Sequence, residues 1–147
     1  MAIRKIVTQE DDILRKVSKP VTAFNDSLDE LLNDMKETLE KSGGVGLSAV
    51  QVGVLKRVFV ISLNNCYFEV INPKITKTSG SQCGQEGCLS IPGRFEDITR
   101  PKSVTVEFVD RYGNKMSLSA TDFMARAICH ENDHLNGILY IDYLKKK

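Results

Sequence analysis

Both histidines of the chain lie in one short stretch, Cys129-His130-Glu131-Asn132-Asp133-His134. In a helix, residues four apart stand one above the other on the same face, so His130 and His134 can point at one metal ion. Glu131, beside the first histidine, can reach a water on that metal. This is the H-E-x-x-H arrangement, in which two imidazoles hold the ion and a carboxylate moves protons. The flanks suit a helix: Thr121 or Asp122 can cap its start, Phe123, Ala127 and Ile128 supply an apolar side, and Gly137 can stop it. The bland alternative is a surface helix with two solvated histidines. The third ligand, which must come from elsewhere, decides between them.

A chain of 147 residues is most simply one domain, 1–147, long enough to bury a core. Its formal charge of +1 creates no global field for nucleic acid or anionic membrane, so no nucleic-acid site is expected. No apolar run approaches the length of a bilayer span, and the start, MAIRKIVTQEDD, lacks the apolar core of a signal peptide. A cytoplasmic location is expected. In that compartment Cys66, Cys83, Cys88 and Cys129 are thiols or metal ligands rather than disulfides.

Residues 10–17 suggest one or two helical turns, ended by Lys19-Pro20. Asn25 or Asp26 can cap a helix running to about Lys41, with Leu28, Leu31, Leu32, Met35 and Leu39 at helical spacing and Ser42-Gly43-Gly44 ending it. The stretch Gly44–Gly53 reads as a glycine-punctuated apolar loop. No Gly-Lys-Ser/Thr follows, so it is not a phosphate loop. Gln51 is its bulkiest polar side chain and needs a partner if buried. Arg57–Leu63 and Tyr67–Ile71 read as strands across an Asn64-Asn65 turn, the second continuing through Pro73 toward Thr78. Ser103–Asp110 alternates, Arg111–Asn114 turns, and Lys115–Ala120 returns as the hairpin partner. Ile138–Tyr143 reads as a short closing strand before the basic end, Lys145–Lys147. The pattern indicates an α+β fold: antiparallel strands packed around a central metal-binding helix, with an N-terminal helix covering the core.

The middle segment, Gly84–Gly93, is rich in turn residues and carries a thiol. A catalytic zinc-type site wants three protein ligands and an open position, and Cys-His-His is one such set. Cys88 is the best third ligand. A small buried apolar role is the common alternative for a free cysteine. Cys83 leaves a further option open, because Cys83, Cys88, His130 and His134 could close a four-ligand structural site. Cys129 points to a different helix face from His130.

Three segments, GVGLSAVQVG, QEGCLS and HENDHLNG, together resemble peptide deformylase in order and separation, over nearly the whole chain. The resemblance implies Cys88, His130 and His134 as metal ligands and Glu131 as general base. It implies the Gln51 amide and the Leu89 N–H as oxyanion donors, and Gly46 as the glycine that lets the peptide approach. Glu86, Arg100 and Asp133 match the family's supporting polar network. Val45, Phe123 and Ala127 would form the methionine pocket. Ser48 stands where the family usually has alanine, Val50 where proline is common, and Cys129 where glutamine usually precedes the first histidine. These departures bear on loop rigidity, rate and oxidation. The chain closes soon after the histidine helix, at IDYLKKK, without the long C-terminal helix some members dock on the ribosome, so ribosome association is not carried over.

The substrate implied is a nascent polypeptide with N-terminal formyl-methionine. The chemistry that follows is attack of a metal-bound hydroxide on the formyl carbon, with Glu131 taking the water proton and delivering it to the departing amine. The extended peptide would lie along a strand edge near Val45 and Gly87. A thiolate and two imidazoles suit zinc, iron(II), cobalt or nickel, and the family implies iron(II) as the native ion, one per chain.

Overall fold

A computed structural model describes residues 2–146, with side chains described through Leu144; the side chains of the basic end, 145–147, lie outside the described residues. Its first regular element is a short 3-10 turn, Asp12–Arg15. Helix α1 spans Asp26–Ser42. Its five periodic apolar residues, Leu28, Leu31, Leu32, Met35 and Leu39, are all buried. The Asn25 side chain accepts the Leu28 N–H at the start, and Gly43 in the left-handed region (φ 73°) ends it.

The strands are β1 (Gly46–Ser48), β2 (Val58–Leu63), β3 (Cys66–Ser79), β4 (Gln82–Cys88), β5 (Ile91–Arg100), β6 (Ser103–Val109) and β7 (Lys115–Thr121). Five form an antiparallel sheet in the order β1-β2-β3-β6-β7, while β4 and β5 pair as a separate ribbon. Helix α2, Asp122–Leu135, follows directly on β7.

Strand alternation decides which helix covers which face. On β2, Phe59 and Ile61 pack with Ala125, Ile128 and Leu135 of α2, and Val58 and Val60 pack with α1. On β1, Leu47 joins the α1 side, which turns Gly46 and Ser48 toward α2. The sheet is therefore sandwiched between the helices, and its edge strand β1 runs beside the histidines. The α+β expectation holds, with the N-terminal helix covering the far face of the sheet. Strand β3 crosses Pro73 with a register shift between Ile71 and Lys74. There Asn72 takes φ 54°, and its side-chain amide accepts from Val21 N and donates to Val21 O, at 2.8 and 2.9 Å.

Three sequence expectations change. Gly44–Gly53 is not a plain loop: it contains β1 and a 3-10 turn, Ala49–Val52. The turn-rich middle segment is the inner part of the β4-β5 ribbon. Its pairing rests on backbone hydrogen bonds, and most of its side chains face solvent, so no hydrophobic alternation marks it. The closing stretch is not a strand. Tyr140–Lys146 is a 3-10 helix, entered through a hydrogen bond from Leu139 N to Asp142 Oδ2 at 3.0 Å. Leu139, Tyr140 and Ile141 are all buried together, against Leu14, Val50, Ile91 and Ile98. A half-exposed strand could not bury three successive side chains in one cluster.

Candidate active site

Helix α2 lies with its apolar side on the sheet and its histidine side toward the ribbon. His130, Glu131 and His134 are all buried. Cys88, the last residue of β4, faces them, and its Sγ lies 3.4 Å from His134 Nε2. One ligand atom from each of Cys88, His130 and His134 falls within 4.8 Å of the others, a grouping able to hold one ion. Glu86, two residues earlier on β4, shares the face of Cys88 and accepts from His130 Nδ1 at 2.8 Å. That bond turns His130 Nε2 toward the ligand cluster, the support a metal-bound imidazole normally receives. Cys83 is exposed and stands outside this group, so among the described residues the four-ligand structural site does not assemble.

Charges around the ligands are dense and paired. Arg100 binds Glu86 through Nε and Nη2 (2.8 and 2.9 Å) and reaches Asp133 through Nη1 at 2.6 Å. Arg126 adds a second cation, with Nη1 2.7 Å from Glu86 Oε2. Burial alone would raise the Glu86 carboxyl, but its hydrogen bonds and attraction to Arg100 and His130 outweigh that and hold it at about 2. Burial pulls His130 down, yet Cys88 and Glu86 beside it push it up to about 10. The donor set of one thiol and two imidazoles suits a divalent transition ion. Burial, with repulsion from His130 and Arg100, keeps His134 well below the usual range and neutral, the form that ligates. Burial raises Glu131, against the opposing pull of His130 and Ser48.

The first glycine-flanked segment brings the remaining groups. Gln51 is buried in the 3-10 turn after β1, and its Oε1 accepts the Ser48 N–H at 2.9 Å. Its Nε2 is thereby aimed the other way, toward Ser90 Oγ (3.1 Å) and Cys88 Sγ (3.5 Å). Leu89 sits in the tight turn between Cys88 and Ser90. The nearest atom that a side chain at Gly46 would meet is Oε2 of Glu131. A cavity of about 390 Å³ opens over these groups, lined by Val45, Gly46, Gln51, Gly87, Cys88, Leu89, Phe123, Ala127, His130 and Glu131. His134 is buried outside this lining, with its Nε2 in contact with Cys88.

Four residues of the site were not anticipated. Arg126 sits four positions before His130, and that spacing on the same helix face was the signal available. Ser90 and Phe95 come from the ribbon, which had no strand signature; the Phe95 ring occupies the space beside Gly87 that a Cβ would fill. Tyr140 packs its ring 5.9 Å from that of His130 and donates to Arg94 O. Cys129 faces away from the ligand cluster and into the core beneath α2.

The family model described as Polypeptide deformylase matches residues 3–147. A peptide deformylase of Caldicellulosiruptor bescii is 50% identical over 142 residues, 97% of this chain and 86% of that one. One of Alkaliphilus metalliredigens is 48% identical over 147 residues and the full length of both. The crystal structure of peptide deformylase from Thermotoga maritima superposes with a TM-score of 0.95 at 38% identity, covering 97% of each chain. That of Synechococcus elongatus in complex with actinonin gives 0.91 at 40% identity, over 93% of this chain and 76% of that one.

Proposed function

From the premise that this chain belongs to the polypeptide deformylase family, we propose that it hydrolyses the N-terminal formyl group of formyl-methionine on newly made polypeptides. Water adds to the formyl carbon, the C–N bond breaks, and formate and a free amine leave. The observation that carries this reading is the grouping of Cys88, His130 and His134 beside a buried carboxylate at the foot of an open cavity.

Cys88, His130 and His134 would hold one divalent ion, with iron(II) as the native species and zinc, nickel or cobalt as substitutes. Bound there, the ion supplies Lewis acidity, making a water more acidic and drawing charge from the formyl oxygen. Glu131 accepts the proton of the attacking water, and its buried surroundings favour keeping that proton until it passes to the amine nitrogen. The Gln51 Nε2–H and the Leu89 N–H donate to the formyl oxygen as negative charge grows on it. In comparable sites one such donor is worth on the order of 3 kcal/mol. The extended peptide lies between the β1 edge at Val45 and Gly46 and the ribbon at Gly87, held by main-chain bonds. Phe123, Ala127 and Val45 receive the methionine side chain.

The described residues include no helix long and apolar enough to cross a membrane. Formate release from a formyl-methionyl peptide, compared with acetate release from its acetyl counterpart, tests the reading. A large preference for formyl is expected, because acetyl adds a methyl group beside the ligand cluster. Protein that carries a full complement of iron after anaerobic purification but releases no formate would contradict it.

A further inference from the structure

Ser48 is fully buried at the end of β1, where it is the N-cap residue of the 3-10 turn that follows. The Gln51 side chain caps that turn by accepting the Ser48 backbone N–H. The hydroxyl, whose proton is available to donate, reaches across to α2 and stands 2.7 Å from Glu131 Oε1 and 3.1 Å from the Glu131 carbonyl. With one proton to donate, it favours the nearer, charged acceptor. The other carboxylate oxygen, Oε2, is the atom turned toward Gly46 and the cavity.

We propose that Ser48 is a positioning residue for the reaction: its hydroxyl holds Glu131 by Oε1 and so presents Oε2 as the oxygen that carries the proton. The inference rests on the reading of Glu131 as proton carrier. A carboxylate turns easily about its last torsion, whose energy profile is broad and two-fold. Gly46 provides room for Oε2 without restraining it, so a donor at Oε1 is what selects one orientation. Through its N–H the same residue fixes the Gln51 amide, whose Nε2 is the oxyanion donor. Ser48 therefore sets the proton carrier and the amide donor in one frame, on the strand edge where the peptide docks.

Ser48→Ala removes a single oxygen and leaves the bond from the backbone N–H to Gln51 in place. In the metal-loaded enzyme we expect kcat on formyl-methionyl peptide to fall about tenfold, with KM within twofold and one metal per chain retained. In a Glu131→Gln background the same substitution should cost nothing further. Infrared spectroscopy supplies a readout independent of turnover: the carboxylate band that disappears in Glu131→Gln should shift in Ser48→Ala. An unchanged kcat with an unshifted band overturns the proposal. So does an equal loss in both backgrounds, or loss of metal from Ser48→Ala, since each assigns Ser48 a role other than holding Glu131. Wild-type turnover in Glu131→Gln is a different failure, because it removes the proton carrier itself.

Discussion

A Cβ placed on Gly46 would stand 2.7 Å from Oε2 of Glu131, closer than real Cβ atoms come to any neighbour. Its distances to the Glu131 Cγ and Cδ, 2.9 and 3.0 Å, are almost as short, so the whole end of the side chain would have to move. The glycine on the edge strand is therefore matched to the carboxylate on the helix, in addition to any part it takes in admitting substrate. Gly46→Ala should keep the fold and the metal and lower kcat/KM by about a hundredfold, the cost of misplacing a reacting group by about an ångström. Turnover within twofold of wild type would show that Glu131 has freedom to spare.

Glu86 joins the ribbon to the helix by binding Arg100, Arg126 and His130 at once. Its side chain and that of Arg100 are 4% and 3% exposed, so solvent hardly screens the pair. Glu86→Ala would remove the carboxylate bound by Arg126, leave Arg100 paired with Asp133, and release His130. Loss of one partner of a buried ion pair typically costs about 3 kcal/mol or more, and loss of an imidazole's outer partner weakens metal binding at least about tenfold. Denaturant unfolding and competitive chelation measure the two effects separately.

Cys88 is the expected target of oxidation, and Cys129, which stands where the family usually has glutamine, is its rival. Burial raises the Cys129 thiol to about 11, which leaves little thiolate at neutral pH. Peroxide treatment of the iron-loaded protein, followed by mass spectrometry, should find Cys129 unmodified while Cys88 is oxidised and metal and activity are lost together. Oxidation of Cys129 ahead of Cys88 would contradict this.

Asp34 of α1 ties down the start of the chain, accepting from Ala2 N at 2.7 Å and from Arg4 Nε at 2.9 Å. The Ala2 N–H lowers its carboxyl most, and Arg4 adds to this against the effect of burial. A carboxylate whose native pKa lies below the ordinary 3.8 contributes stability that is complete above that value and lost as pH falls below it. Acid unfolding of Asp34→Asn should therefore lack part of the wild-type slope below about pH 4, with curves that differ by a constant above it. Parallel curves throughout would show that the tether carries no linkage.

Much of this arrangement was legible in the residues. The apolar period of α1, its Asn25 cap and its Gly43 stop, and the β2-β3 and β6-β7 hairpins all follow from local chemistry that the structure leaves intact. The ribbon was not legible, because Gln82–Cys88 and its partner bury few side chains and owe their pairing to the backbone. The closing 3-10 helix reads as a strand in the sequence, since an apolar run such as Ile138–Tyr143 does not reveal whether one face or all of it will be covered. Within the site, Cys88, His130 and His134 could be named from residue type and spacing. The contact between Ser48 and Glu131 spans 83 positions and two elements, and no local pattern encodes it.

In the proposed mechanism Glu131 carries a proton and does not hold the metal. Metal content and formate release, measured together on Glu131→Gln and His134→Ala, test it most directly. Glu131→Gln should fold, keep about one metal per chain, and lose at least the roughly hundredfold typical of removing a general base. His134→Ala should instead lose the metal, because only two protein ligands remain. Glu131→Gln that turns over formyl-methionyl peptide at the wild-type rate, or that loses its metal as His134→Ala does, would contradict the account.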